Sequence, residues 1–83
     1  MSRQRPSSPR QQRTRESMEQ VYAFIQAYIA DKDIPPSIED IAQGVYLSRG
    51  GVLRHLDRLE GMGRLSREPG IPRSIRLLGK RDE

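Results

Sequence analysis

Apolar positions along the chain fall into three stretches of helical spacing and one of alternating spacing. Met18, Val21, Tyr22, Ile25, Tyr28 and Ile29 recur at steps of three and four, the stripe that one face of an α-helix presents. The pattern predicts a helix starting between Thr14 and Ser17, with Ser17 and Gln20 at capping-box spacing. Its aromatics read as core. It must end ahead of Pro35, because proline disfavours helical backbone in the residue before it. A second start follows "IPPS": Ser37 is a good N-cap, and Glu39 and Asp40 occupy the first turn, where the helix dipole favours anions. Ile38, Ile41, Ala42 and Val45 give this short helix an apolar face, and Gly44 to Leu47 reads as a turn. Ser48 then caps a third helix, with Val52, Leu53, Leu56, Leu59 and Met62 as its buried face. Gly61 and Gly63 bracket its end.

Past Gly63 the period changes. "RLSRE" and "RSIRLL" are short strand-like runs on either side of Pro69-Gly70-Ile71-Pro72, and Ile75 and Leu77 alternate with Ser74 and Arg76. Two such runs around a Pro/Gly turn make a β-hairpin. The expected architecture is mainly α with a small β-hairpin: helix, helix, turn, helix, hairpin, the element order of a winged helix-turn-helix with a two-stranded wing. Residues 14–79 carry this domain. Residues 1–13, "MSRQRPSSPRQQR", lack apolar periodicity and read as a disordered basic N-terminal arm. Residues 80–83 read as a polar tail.

Length and charge narrow the function. A chain of 83 residues is one small domain. It has no cysteine for a disulfide or thiolate site, and no apolar run near the ~20 residues of a membrane span. A cytoplasmic protein without a membrane partner is expected. The net charge is +4, from 15 Lys and Arg against 11 Asp and Glu. Most of the cations are arginine. Arg3, Arg5, Arg10, Arg13 and Arg15 precede any acid, and Arg49, Arg54, Arg58, Arg64, Arg67, Arg73 and Arg76 crowd the C-terminal half. A guanidinium fork suits phosphate and base edges, so nucleic acid is the expected partner.

The arrangement also suits double-stranded DNA. An α-helix fits the major groove, where each base pair displays a distinct pattern of donors and acceptors, and the preceding helix braces it across the backbone. Helix N-termini offer free N–H groups to phosphates, and Ser37 and Ser48 mark two of them. In "SRGGVLRHL" two glycines stand at the head of the third helix, each costing about 1 kcal/mol against alanine. Either Gly50 and Gly51 let the helix approach the groove floor between Arg49 and Arg54, or they extend the turn and the helix starts at Val52. Arg49 and Arg54 would fork onto guanine or bind phosphate; their placement fits both. Arg67 and Arg73 flank the hairpin tip, where a wing touches phosphate or the minor groove. The DNA-contact candidates are therefore Ser37, Ser48, Arg49, Gly50, Gly51, Arg54, Arg67 and Arg73. Tight binding by so small a reader calls for a homodimer on a palindromic operator.

Other chemistry is sparse. His55 is the only histidine; structural zinc takes four ligands, so a structural or phosphate-facing role is expected of it. Asp57, Glu60 and Glu68 make no acid/base pair with it, and there is no Gly-rich phosphate loop. No enzymatic activity and no cofactor are expected. The alternative to an operator-binding regulator is a winged-helix module that binds a protein or RNA without operator specificity.

"IPPSIEDIAQGVYLS", "HLDRLEGMGRLSREPG" and "PRSIRLL" together resemble the N-terminal DNA-binding domain of the LexA repressors. "FIQAYIADKDIPPS" is similar to that family's first helix and its exit, and the match runs from about Arg15 to Leu78. The resemblance implies a winged helix that binds operator DNA and represses transcription, in that family the SOS DNA-damage genes. It places base-reading positions at the head of helix three, where Ser48 and His55-Leu56 match. Gly50, Gly51, Leu53 and Arg54 depart from the family's residues. Tyr46 stands where a turn glycine is common, which implies a rebuilt turn. The family's self-cleaving domain, with its Ser/Lys pair, has no counterpart in these residues.

Overall fold

The computed structural model describes residues 9–78, with side chains from Arg15 onward. Three helices and a hairpin follow in order: α1 (Pro9–Lys32), α2 (Ile38–Val45), α3 (Arg49–Gly61), β1 (Leu65–Ser66) and β2 (Arg76–Leu77). The mainly α, winged helix-turn-helix architecture expected from the sequence is the one found. Residues 1–8 of the expected arm and the 80–83 tail lie outside the described residues.

Helix α1 corrects one expectation. Its described part spans Pro9–Lys32, so it does not start between Thr14 and Ser17, and residues 9–13 of the expected arm are helical. From Arg10 to Lys32 neither proline nor glycine interrupts the helix. Ser17 lies inside the helix, so the Ser17–Gln20 capping box does not form. Apolar spacing marks where a helix is buried, not where it starts, and the buried stretch of α1 opens at Met18.

Helix α2 is fixed at its head by a reciprocal cap. The Asp40 N–H donates to Ser37 Oγ and the Ser37 N–H to Asp40 Oδ2, each at 3.0 Å. Its tail lies close against α1: a Cβ at Gly44 would overlap the Phe24 ring. Helix α3 ends in a Schellman arrangement. Gly63, at φ 78°, donates its N–H to the Glu60 carbonyl, and Arg64 donates to Leu59.

The core draws on all three helices and on the hairpin. Met18, Val21 and Ile25 from α1, Ile41 from α2, and Val52, Leu56 and Leu59 from α3 meet Leu65 of β1 and Ile75, just ahead of β2. Leu53 is only half-buried and Met62 is exposed. His55 instead completes the inner face of α3. The hairpin is antiparallel, pairing Leu65 with Leu77 and Ser66 with Arg76. No helix among the described residues is long and apolar enough to cross a membrane.

Candidate nucleic-acid interface

At ~3.6 residues per turn, the faces of α3 are opposed. Val52, His55, Leu56 and Leu59 point into the core, which leaves Gly50, Arg54, Asp57 and Gly61 along the outer side, all exposed. Ser48 Oγ accepts the Gly51 N–H at 3.1 Å, and the helix runs from Arg49. Both glycines are therefore helical, and a start at Val52 is excluded. The free fold has no use for their bareness. A Cβ at Gly50 would meet nothing within 4 Å, and one at Gly51 would make ordinary contacts with Ser48 Oγ at 3.4 Å and Leu47 Cβ at 3.8 Å.

The arginines divide into two groups. Arg64 grips Glu19 with two bonds of 2.8 and 3.2 Å and lies 4.1 Å from the centre of the Tyr22 ring, which ties the hairpin to α1. Its guanidinium holds the Glu19 carboxyl below the usual carboxylate range. Arg67, with its side chain only 14% exposed, pairs with Asp57 and lies 3.5 Å from Glu60, both on α3. Arg73 holds a left-handed backbone, φ 56°. Its Nη1 lies 3.0 Å from Asp40 Oδ2 and donates to the Pro35 carbonyl at 3.1 Å and the Tyr28 hydroxyl at 3.2 Å. Arg49 pairs with Glu39 at 2.8 Å, both side chains exposed. Among the described residues Arg54, Arg58 and Arg76 take part in no ion pair. Arg67 and Arg73, expected as DNA contacts flanking the wing tip, pair in the free protein with acids of α3 and α2.

This pairing sets the charge of the outer face. Glu39 and Asp40 each face a guanidinium of their own, and Asp57 and Glu60 share that of Arg67, so most of the acidic charge around α3 is offset while Arg54 and Arg58 pair with none of these acids. Asp40 is held below the usual carboxylate value, first by the Ser37 backbone N–H and then by the Tyr28 hydroxyl and the Arg73 charge. His55 is displaced downward as well. Burial, then the Arg58 and Arg54 charges, push its imidazole below its ordinary value. Its Nδ1 is buried without a hydrogen-bond partner. A neutral, inward-facing ring has a structural role, not a phosphate-facing one.

The candidates do not converge on one point. Ser37, Arg49, Arg67 and Arg73 line a cleft of about 360 Å³ between the heads of α2 and α3 and the hairpin. Ser48, Gly50, Gly51 and Arg54 lie outside it, on the first turns of α3. No cluster of three or more His, Cys, Asp or Glu able to hold a metal occurs among the described residues. Sequence reasoning missed the Tyr28–Asp40–Arg73 network and the conformation of Tyr46. That residue did not rebuild the turn. It took the left-handed conformation, φ 61°, that glycine usually supplies at a helix end. A tyrosine where the chain must reverse was the signal that could have revealed it.

Residues 6–74 match the family model described as "LexA DNA binding domain". The chain is 41% identical over 76 residues to "LexA repressor 1" of Geobacter sulfurreducens, covering 90% of this chain and 34% of that protein. It is 39% identical over 64 residues to the LexA repressor of Listeria welshimeri (76% and 31%), and 39% identical over 66 residues to that of Clostridium acetobutylicum (78% and 32%). The chain thus spans about a third of the length of the curated relatives it matches.

Proposed function

The chain belongs to the LexA DNA-binding domain family, and from that premise we propose that it is a sequence-specific reader of double-stranded DNA that represses transcription from an operator. One observation carries the reading: the outer face of α3 pairs a bare helical turn at Gly50 with an unopposed guanidinium at Arg54, one turn further on. Without Cβ atoms the backbone of that turn lies closer to the groove floor than any other residue would allow. Arg54 then forks onto the O6 and N7 of a guanine, the commonest specific contact in the major groove. The head of α3 at Ser48 and the adjoining Arg49 face the phosphates. Arg49 exchanges Glu39 for the DNA backbone, a small loss since the pair is exposed. Arg67 and Arg73 serve by holding the hairpin in place and by neutralising acids that would repel the duplex. Two copies on a palindrome supply the affinity that one reader lacks.

Selection of binding sites from a random duplex pool tests the reading. The expected output is a palindromic site whose affinity falls steeply with salt. Arg54→Ala should cost about 1–3 kcal/mol on that site and little on random duplex. Equal loss on every sequence would remove Arg54 from base reading. Indifference to duplex DNA at low ionic strength would overturn the function.

A further inference from the structure

Three helix ends in this chain close through a single left-handed residue: Asp33 after α1 (φ 64°), Tyr46 after α2 (φ 61°) and Gly63 after α3 (φ 78°). Glycine adopts this backbone freely and aspartate tolerates it. Tyrosine does not, because its Cβ crowds the following carbonyl and its ring adds bulk. The turn itself is well made: the Tyr46 and Leu47 N–H groups both reach the Ala42 carbonyl. The tyrosine side chain adds nothing to it. Tyr46 is 91% exposed, the most exposed large hydrophobic among the described residues, so no burial offsets the strain. Strain of this kind collects where a side chain serves a partner.

We propose that Tyr46 contacts the DNA backbone, its phenol O–H donating to a phosphate oxygen at the edge of the groove that α3 enters. The inference rests on the DNA-reading function above. Tyr46 precedes Ser48, the N-cap of α3, by two residues, a chain distance of at most ~7 Å. A helix whose first turn approaches the groove floor brings the residues just ahead of it to the groove edge, where phosphates run. Arg49 and Arg54 in the same segment draw a polyanion, not an apolar protein surface. A phosphate only accepts, so a neutral phenol has one way to pair with it, as the donor.

The test uses the 83-residue chain, a random-sequence duplex of roughly two helical turns at low salt, and the site obtained by selection. Tyr46→Phe keeps the strain and removes the hydroxyl. It should lower affinity about tenfold, the worth of a hydrogen bond to a charged group. The factor should be the same on both duplexes, with no change in Tm. The salt slope should hold, because a neutral hydroxyl displaces no counterion. Tyr46→Gly should lose the same affinity while its Tm rises by roughly 4–8 °C. Wild-type binding by Tyr46→Phe overturns the contact, as does a loss confined to one sequence. An unchanged or lower Tm for Tyr46→Gly removes the strain on which the inference stands. Wild-type indifference to every duplex overturns the functional reading and this contact with it, a result distinct from binding that survives Tyr46→Phe.

Discussion

Gly50 and Gly51 lie inside α3, and each costs the helix about 1 kcal/mol against alanine. Neither is called for by packing, turn or positive φ. The residues are therefore suboptimal for the free protein, and their value lies with what the helix meets. A Gly50→Ala/Gly51→Ala variant should be more stable by about 1–2 kcal/mol in urea denaturation and should bind duplex more weakly in titration. Greater stability with unchanged affinity would leave the glycines without a role at the interface. Gly44 is the opposite case. It too is helical, and like Gly50 it is exposed, yet the Phe24 ring occupies the space a side chain would need. The sequence reads Gly44 as the start of a turn and leaves two readings open for Gly50 and Gly51, yet all three are helical; only the neighbours tell a packing glycine from a contact glycine.

Among the elements, the hairpin depends most on others. Its strands are two residues each, too few for independent stability, so side chains fix its position. Ser74 Oγ bridges the Glu68 N–H and carbonyl at 2.9 and 3.1 Å across the turn, and Arg64, Arg67 and Arg73 bind α1, α3 and α2. Arg73→Ala should therefore lower Tm, speed exchange of the Leu78 amide that bonds the Arg64 carbonyl, and weaken binding to all duplexes alike. Weaker binding with unchanged Tm and exchange would instead make Arg73 a direct contact. The elements themselves were legible in the sequence, since each carries its own period and α2 and α3 also carry a serine cap. Ser37, Ser48 and the glycines near the end of α3 marked boundaries that the structure keeps. The start of α1 was not legible, because its first turns lack apolar spacing. Nor were the arginine partners: Glu19 and Arg64 lie 45 positions apart, and composition counts a tethered cation and a free one alike.

For the whole molecule, the buried histidine and the paired carboxylates set the response to acid. His55 titrates lower folded than unfolded, so the unfolded chain binds its proton first. Stability should be fully present above the unfolded imidazole value of about 6.5 and should decline as pH falls below it. Glu19 and Asp40 are displaced in the same direction from the carboxylate range. A second decline, which unfastens both the Arg64 and the Arg73 attachments, should follow as pH falls through their folded values. Thermal denaturation across pH should show two separate slopes, and His55→Gln should abolish only the upper one. A single slope confined to the carboxylate range would exclude the histidine. The left-handed helix ends have a kinetic consequence as well. Because α1, α2 and α3 hand over through abrupt reversals, α2 meets both neighbouring helices after short excursions of the chain, and those contacts should form early in folding. The wing's links to α1 span 45 positions. Their closure carries the larger loop-closure cost, so protection of the wing amides from exchange should develop after that of α2 during refolding.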